Sequence, residues 1–278
     1  MSEPQQHQTV RWLDVVYGDR PDPDDPAEAY HEASKLTPSQ LARQMKGARR
    51  LETNTELRLS STRAVRRHGG VKIPIATPAS LAPALGDVIT CRRSRRDFGH
   101  EPIAADVLAA LLDAGYGVTG ALEFRDDGPP VSVRAVPSGG ALYPLELYPA
   151  VLRVDGLEAG LYHFDPVSPC LEVVQPGLTE EEVAALSTYP AIASTCAVLL
   201  LVAAIFGRTR FKYGLRGYRF ALLEAGHVAQ NIILAATALD LAAVPLGAFY
   251  DRRADALLGL DGVNESTVYT IAVGREQT

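Results

Sequence analysis

The stretch GYRFALLEAGHVAQNIILAATAL, residues 217–239, decides the fold. It runs for 23 residues without a proline, which corresponds to about 35 Å of α-helix. Apolar side chains cover nearly every face, and such a helix belongs in the middle of a protein or in a membrane. Glu224, His227, Gln230 and Asn231 interrupt the apolar positions. Because ionisable groups are costly in lipid, we expect a buried central helix that is shared with a second subunit.

Composition indicates a soluble globular protein. The chain has 278 residues, of which 47% are hydrophobic and 22% are charged, so it can form one large domain or two small ones. A net charge of −6 argues against nucleic acid as a partner. Cys91, Cys170 and Cys196 are odd in number and far apart. This pattern is neither a disulfide framework nor a zinc site, and it suits a reducing cytoplasm.

Neither the first residues nor the most apolar run suggests a membrane protein. The start, MSEPQQHQTVRW, has no apolar h-region, so we expect no signal peptide. The run CAVLLLVAAIF, residues 196–206, is only 11 residues long and is too short to span a bilayer. We interpret it as a buried strand, and we expect a cytoplasmic protein.

Charge is segregated near the N-terminus. Residues 1–36 carry eight acidic and three basic side chains, whereas residues 37–74 carry nine basic and two acidic ones. Two solvated faces that meet in the fold would explain this pattern. A docking surface for a charged partner, such as a peptide substrate, is the alternative.

The chain divides into an N-terminal extension, residues 1–78, and a main domain, residues 79–278. The first 36 residues are expected to be loosely ordered as far as about Tyr30. A capping box at 37–40 predicts a short helix to Met45. In the main domain Ser80 is expected to cap a helix over 81–92, and residues 244–247 are expected to form a turn. Helices and strands alternate without a steady βαβ rhythm, so the prediction is an α+β fold.

Two segments have the chemistry of a binding site. The segment RRSRR at 92–96 places four guanidinium groups in five residues, which suits a phosphate, although a solvated charged turn has the same composition. The segment PSGGALYP at 137–144 lets backbone approach a flat ligand, or is simply a tight turn. Dinucleotide, Walker and zinc-site patterns are missing from the sequence, so a metal is not expected.

Several motifs together carry a resemblance to a known family. They are RRSRR at 92–96, PSGGALYP at 137–144, GLYHFDP at 160–166, KYGLRGYRF at 212–220, EAGHVAQN at 224–231 and VPLG at 244–247. In this order they resemble the SagB-type dehydrogenases, the azoline-oxidising branch of the FMN-dependent nitroreductase-like superfamily. The resemblance covers about residues 81–274, with a weaker match at 30–35.

The resemblance implies a nitroreductase-like fold, in which helices flank a mixed, mainly antiparallel sheet. It also implies a homodimer with one FMN at each end of the subunit interface. Ser138, Gly139 and Ala141 would come from the partner subunit. The cofactor-binding residues follow by matching position. The phosphate, ribityl chain and pyrimidine edge would be held by Arg92, Arg93, Ser94 and Arg96, and Arg275 would also contact the phosphate. The isoalloxazine would lie against Ser138, Gly139 and Ala141, with Gly247 and Ala248 near flavin N5.

Lys212 and Tyr213 would be the catalytic pair, as the resemblance implies. Aromatising an azoline removes a ring proton and passes a hydride to flavin N5, so a base must lie opposite the flavin. A neighbouring ammonium ion favours the phenolate form of a tyrosine. We therefore expect Tyr213 to be the base and Lys212 its electrostatic partner. The alternative is a surface lysine and a tyrosine that packs under the start of the central helix.

The expected function is FMN-dependent oxidation of peptide thiazolines and oxazolines to thiazoles and oxazoles, with O₂ as the electron acceptor. A heterocyclised peptide and a cyclodehydratase would be the partners. An NAD(P)H-dependent nitro- or quinone reductase, an oxidase of carrier-protein-bound thiazoline and a non-catalytic scaffold are the alternatives. On the central helix we expect Glu224, His227 and Asn231 to hydrogen-bond to one another, because they share one stripe.

Overall fold

Helices and strands are distributed along the whole described part of the chain. The computed structural model describes residues 25–38, 46–62, 66, 68–123 and 130–277. Its helices are α1 Pro26–Ala33, α2 Lys46–Thr53, α3 Thr55–Thr62, α4 Leu85–Cys91, α5 Ala105–Tyr116, α6 Glu180–Ala184, α7 Pro190–Thr195, α8 Gly207–Tyr213, α9 Leu215–Ala238 and α10 Asp251–Leu258. Its strands are β1 Lys72–Pro74, β2 Val118–Leu122, β3 Val131–Arg134, β4 Leu145–Val151, β5 Gly160–Asp165, β6 Cys170–Pro176, β7 Val198–Ile205, β8 Ala242–Leu246 and β9 Glu265–Gly274.

One large sheet organises the fold. Its seven strands lie in the order β1-β6-β5-β4-β7-β9-β8, while β2 and β3 form a separate hairpin. Neighbouring strands of the large sheet are antiparallel. The prediction of an α+β fold with a mainly antiparallel sheet is therefore confirmed.

The apolar run at 196–206 forms the central strand β7. Leu200 and Val202 face the layer that contains α5 and α9, whereas Leu199 and Leu201 face the layer that contains α6, α7 and α10. A strand that is covered on both faces needs apolar residues at successive positions rather than at alternate ones. Because both faces of β7 are covered, apolar residues follow one another along this run without interruption.

The predicted central helix is α9, and its bounds agree within two residues. Ala221, Ala225, Val228 and Ile232 are buried on the side that faces the core. The opposite side is open in a single copy of the chain, where Leu223 is 61% exposed. The expected burial is therefore confirmed on the side that faces the core, and cover of the open side by a second subunit stays a prediction. Among the described residues α9 is also the one helix long and apolar enough to span a membrane, and half of its most apolar window is buried inside the fold.

The N-terminal extension contributes ordered elements. Helix α1 begins at Pro26 and is capped by Asp25. The expectation of loose order up to about Tyr30 was therefore wrong for residues 25–30, because it overlooked an aspartate followed by proline at the first helical position, and residues 1–24 lie outside the described part of the chain. Strand β1 pairs with β6 and becomes one edge of the large sheet. The short helix predicted from 37 to 45 lies largely outside the described residues. The extension is thus attached to the main domain through a shared sheet.

Two boundaries in the main domain differ from the prediction, and proline accounts for both. Helix α4 begins at Leu85, with Ala84 rather than Ser80 before it, because Pro83 disfavours helical geometry at the residue that precedes it. Residues 242–246 form β8, not a turn. Pro245 is tolerated there since β8 is an edge strand.

Candidate active site

The arginine segment lies in the loop after α4 and is tied to the C-terminus. Phe98 forms an antiparallel bridge with Glu276, and the Gly99 amide donates to the carbonyl of Arg275 at 2.9 Å. These bonds place the backbone of Arg275 beside the end of the arginine segment. Arg275 was expected near this segment only because it matches a family position. The Arg95 amide donates to the Ala243 carbonyl at 3.1 Å. The loop is therefore fixed at the start of β8.

The arginine side chains present an open positive surface. Arg93, Arg95 and Arg96 are exposed, and Arg92 is half-buried. Arg95 forms an ion pair with Glu276. Arg93 and Arg96 donate only to nearby carbonyls among the described residues, so their charge is not neutralised by a carboxylate. Such a surface suits an anionic group.

The segment PSGGALYP forms a strained turn before β4. Gly139–Ala141 is a short 3₁₀ turn, and the backbone φ angle is +69° at Gly140, +53° at Ala141 and +44° at Tyr143. Left-handed backbone at residues other than glycine costs free energy and is concentrated at functional sites. The Tyr143 amide donates to Ser138 Oγ at 2.9 Å, which fixes the serine side chain across the turn.

Lys212 and Tyr213 meet at this turn. A Cβ atom added to Gly140 would lie 2.5 Å from Lys212 Nζ and 2.6 Å from Tyr213 Oη. The ammonium group and the phenol oxygen thus face the same point of the backbone. Lys212 Nζ is 5.0 Å from the centre of the Tyr213 ring, and Phe220 holds that ring edge-on, with ring centres 5.0 Å apart. The structure therefore brings Lys212 and Tyr213 together with the 138–141 turn.

A buried polar cluster lies behind the turn. Glu224 on α9 accepts a hydrogen bond from the Tyr116 hydroxyl at 2.7 Å, and its other oxygen, Oε2, has no hydrogen-bond partner among the described residues. The Arg134 guanidinium stacks on the rings of Tyr116 and Tyr143, at 4.3 and 4.8 Å. Burial raises the pKa of Glu224 to about 7, while the hydroxyls of Ser138 and Tyr116 and the charge of Arg134 partly offset this effect.

The expected stripe of mutual hydrogen bonds on α9 was wrong. Glu224 bonds to Tyr116, and the Asn231 amide donates to the Ala114 carbonyl at 3.0 Å. His227 is exposed. Residues that share a helix face bond to one another only when no neighbouring element offers a better partner, and here α5 offers one.

A second polar cluster anchors α8 on the sheet. Arg208 Nη2 lies 2.6 Å from Glu146 Oε1, and Arg208 Nη1 donates to the Tyr143 carbonyl at 3.3 Å. The His163 ring contacts Glu146 Oε2 at 2.7 Å. Burial alone would raise the pKa of Glu146, but the hydrogen bond with His163 and the charge of Arg208 lower it to about 2. The carboxylate therefore stays charged in the core.

Gly247 and Ala248 follow β8 and are both exposed. The Ala248 carbonyl accepts from the Thr188 hydroxyl at 2.9 Å, which fixes the backbone. The amides of Gly247 and Ala248 donate to no other described residue. Both N–H groups are therefore available to a ligand.

The predicted site residues fall into groups at opposite ends of α9. The turn at 138–141 and the Lys212–Tyr213 pair lie at its N-terminal end, whereas the arginine loop borders Thr237 and Asp240 at its C-terminal end. The turn packs against Phe220, and Phe220 and Thr237 are 17 residues apart on α9, which corresponds to about 26 Å along the helix. A single copy of the chain does not bring them together.

Most of the main domain matches a known protein family. The sequence profile of the Nitroreductase family matches residues 89–275, which include the arginine loop, the 138–141 turn and the Lys212–Tyr213 pair. The chain belongs to the nitroreductase family. It is 35% identical over 192 residues, 69% of this chain and 91% of its relative, to MJ1384 of Methanocaldococcus jannaschii, which is named as a candidate nitroreductase.

Two further relatives are named for peptide processing. The microcin B17-processing protein McbC of Escherichia coli is 37% identical over 123 residues, 42% of this chain and 45% of McbC. The trifolitoxin-processing protein TfxB of Rhizobium leguminosarum bv. trifolii is 28% identical over 191 residues, 65% of this chain and 51% of TfxB. The matches thus span about half the length of these two relatives.

A solved structure has the same fold. A chain of the E. coli microcin synthetase McbBCD complex, with truncated pro-MccB17 bound, superposes with a TM-score of 0.57 at 21% identity, covering 88% of this chain and 100% of that chain. At this identity the similarity supports the nitroreductase-like fold alone.

Several contacts around the site were not predicted from the sequence. Tyr116 and Glu224 are 108 positions apart in the chain, and Glu146 and Arg208 are also distant, so no spacing rule joins either pair. The available signal was compositional. A glutamate in the apolar strand LELYPAV requires a buried cationic partner, and the basic segment before α9 offered one.

Proposed function

We propose that the protein oxidises azoline rings in peptides to azoles with FMN as cofactor. The observation that carries this proposal is the convergence of Lys212 Nζ and Tyr213 Oη on Gly140. A reductase of small electrophiles needs no base at this place, whereas azoline aromatisation needs one that removes a ring proton. Membership of the nitroreductase family and two relatives named for peptide processing support the same function.

The residues present fit FMN. The unneutralised guanidinium groups of Arg92, Arg93 and Arg96, with the Ser94 hydroxyl and Arg275, would hold the phosphate and ribityl chain. Ser138, Gly139 and Ala141 would lie against the ring system, because a turn of small residues allows close approach. The free amides of Gly247 and Ala248 would donate to the ring edge. FMN, when bound, supplies a hydride acceptor and can pass the electron pair to O₂.

The protein would act as a homodimer. About 26 Å of α9, from Phe220 to Thr237, separates the 138–141 turn from the arginine loop, so a two-fold arrangement of two copies is needed to place both at one cofactor. The open side of α9 supports this assembly, because Leu215, Leu222 and Leu223 are exposed there. Exposed leucines on one helix are typical of a surface that a partner covers.

Lys212 and Tyr213 would divide the proton chemistry between them. The Tyr213 phenolate accepts the ring-carbon proton, and the Lys212 ammonium stabilises the phenolate before the transfer. Phe220 fixes the plane of the phenol, and the Gly140 backbone leaves room for both polar groups. In total the substrate ring loses two hydrogens, one as a proton to Tyr213 and one as a hydride.

The substrate would be a heterocyclised peptide made from Cys, Ser or Thr residues, and a cyclodehydratase would supply it. This part of the proposal rests on the names of McbC and TfxB and on the McbBCD assembly. The basic segment 37–74 was a candidate peptide-binding surface. Arg66 in that segment is already engaged, since it forms an ion pair with Glu265 and donates to the Gly259 carbonyl at 3.0 Å.

A nitro- or quinone reductase is the second candidate, because MJ1384 covers most of this chain and is named for that activity. The two functions differ in the need for a base. With NADPH and a quinone, a reductase turns over whether or not Tyr213 is present. The azoline oxidase ignores NADPH and depends on Tyr213.

Replacing the catalytic pair tests the proposed function. Tyr213→Phe and Lys212→Met are expected to retain FMN, measured by flavin absorbance, and to lower azoline turnover at least about 100-fold, because general-base catalysis contributes 10²–10⁴-fold. Turnover is measured as the two-dalton mass loss of an azoline peptide. Tyr269→Phe, on β9 two strands away from β4, is the matched control. Wild-type turnover in both variants would sink the mechanism.

A further inference from the structure

The N-terminal extension grips the part of the chain that carries Lys212 and Tyr213. This part consists of α8, Gly214 and the first residues of α9, residues 207–219, and we call it the elbow. Gly214 joins the two helices with φ +57°, and the Thr209 hydroxyl donates to the Gly217 carbonyl at 2.9 Å. The position and orientation of Lys212 and Tyr213 therefore depend on the contacts that other parts of the chain make with the elbow.

Helix α1 makes the first of three contacts with the elbow. The Tyr30 hydroxyl donates to the Leu215 carbonyl at 3.2 Å, and Arg219 Nη2 donates to the His31 carbonyl at 2.7 Å. The rings of Tyr30 and Tyr218 pack edge to face, with centres 5.5 Å apart. Hydrogen bonds to main-chain carbonyls at a helix start fix that end of α9 in place.

Helix α2 makes the second contact, at the catalytic lysine itself. A Cβ atom added to Gly47 would lie 1.9 Å from the Phe211 carbonyl oxygen and 2.9 Å from Lys212 Cα. The two helices thus touch backbone to backbone, and no side chain larger than hydrogen fits between them. Gly47 is buried in this contact.

The third contact passes through a buried carboxylate. The Arg66 amide donates to Glu146 Oε1 at 2.9 Å, and the same oxygen lies 2.6 Å from Arg208 Nη2 on the first turn of α8. Amides at His68 and Gly70 donate in turn to Glu172. The extension thereby reaches the elbow from the sheet side as well.

We propose that the extension is a clamp that positions Lys212 and Tyr213, so that residues before the main domain are part of the catalytic unit. Three separate segments of the extension converge on one stretch of 13 residues, through hydrogen bonds to backbone carbonyls, a backbone-to-backbone contact at Gly47, a ring contact with Tyr218 and a buried ion pair. The inference rests on the proposed function, since it assigns the clamp to the same catalytic pair.

A matched pair of glycine substitutions in the full-length protein tests the clamp. Gly47→Ala adds a methyl group where the elbow backbone lies, whereas Gly86→Ala on α4 adds one where no atom lies within 4 Å. Both changes raise helix propensity equally. Only Gly47→Ala is expected to speed amide hydrogen exchange across 207–219, by about tenfold or more. It is also expected to lower kcat about tenfold while KM stays within about twofold.

The outcomes separate the clamp from the proposed function. Unchanged exchange in the elbow of Gly47→Ala overturns the clamp, and so does faster exchange with unchanged kcat. If Gly47→Ala does not fold, Tyr30→Ala removes the α1 contact from a half-buried position, and the same two measurements decide. If the wild-type protein itself leaves the azoline peptide unchanged, the proposed function fails, and hydrogen exchange still reports whether the extension holds the elbow.

Discussion

Gly140 is the residue on which the proposed chemistry depends most closely. Its φ of +69° is one that side chains disfavour, and its missing side chain makes space for two polar groups from α8. Neither the positive φ nor the missing side chain alone identifies a site. Together they explain why a strained turn lies against a lysine and a tyrosine, because strain persists only where the surrounding structure enforces it.

Adding one methyl group at Gly140 tests this interpretation. Gly140→Ala is expected to displace Lys212 Nζ and Tyr213 Oη, which lie 2.5 and 2.6 Å from the new atom, and to lower azoline turnover about 100-fold, since small displacements of catalytic groups cost that much. Gly156→Ala is the control, because its φ is +75° and no atom lies within 4 Å. Equal losses in both variants would assign the effect to backbone strain alone.

At the scale of elements, the contact between α5 and α9 carries a buried acid. Glu224 holds the two helices together through Tyr116, and the acid borders the turn that carries Ser138. Its pKa of about 7 lies above the ordinary value of 4.5. The folded protein therefore binds this proton more tightly than the unfolded chain does.

This proton linkage predicts how stability changes with pH. The contribution of Glu224 is fully present below pH 4.5 and is lost as pH rises toward 7, by roughly 3 kcal/mol at most. Glu224→Gln keeps an acceptor for Tyr116 but cannot titrate. Urea unfolding at pH 5 and pH 8 should show the wild type losing free energy of unfolding relative to this variant. Glu181→Gln controls for the loss of one exposed carboxyl group, and parallel curves for wild type and Glu224→Gln would contradict the linkage.

Regular elements were predictable where their periodicity was strong. The bounds of α9 and the central strand β7 follow from apolar runs that local physics dictates. Strand β8 was missed because a proline reads as a turn unless the strand is known to lie at an edge. The contacts of Gly47 and Gly140 could not be found, because packing between distant segments leaves no local signal.

The candidate site was partly predictable for the same reason. The arginine loop and the PSGG turn stand out through composition and spacing, and Lys212 and Tyr213 stand out through resemblance. That the turn and the pair meet, and that the arginine loop lies at the far end of α9, depends on how the helix crosses the sheet. Only the folded chain gives this arrangement.

At the scale of the whole molecule, the proposed homodimer would join two copies of the chain through the open side of α9. Each cofactor would contact the arginine loop of one copy and the 138–141 turn, Lys212 and Tyr213 of the other. This assembly makes the two ends of one helix belong to two different sites. A substitution in the arginine loop and a substitution at Tyr213 of the same chain would therefore affect two different sites of the dimer.

The most direct measurement is complementation between two inactive variants. One is Arg92→Ala with Arg96→Ala, and the other is Tyr213→Phe. Co-expressed chains assort into mixed dimers, in which one site carries both defects and the other carries none, so azoline turnover should return to roughly one quarter of the wild-type value per subunit. Turnover no higher than that of the separate variants would contradict a site built from two copies with Tyr213 at its centre.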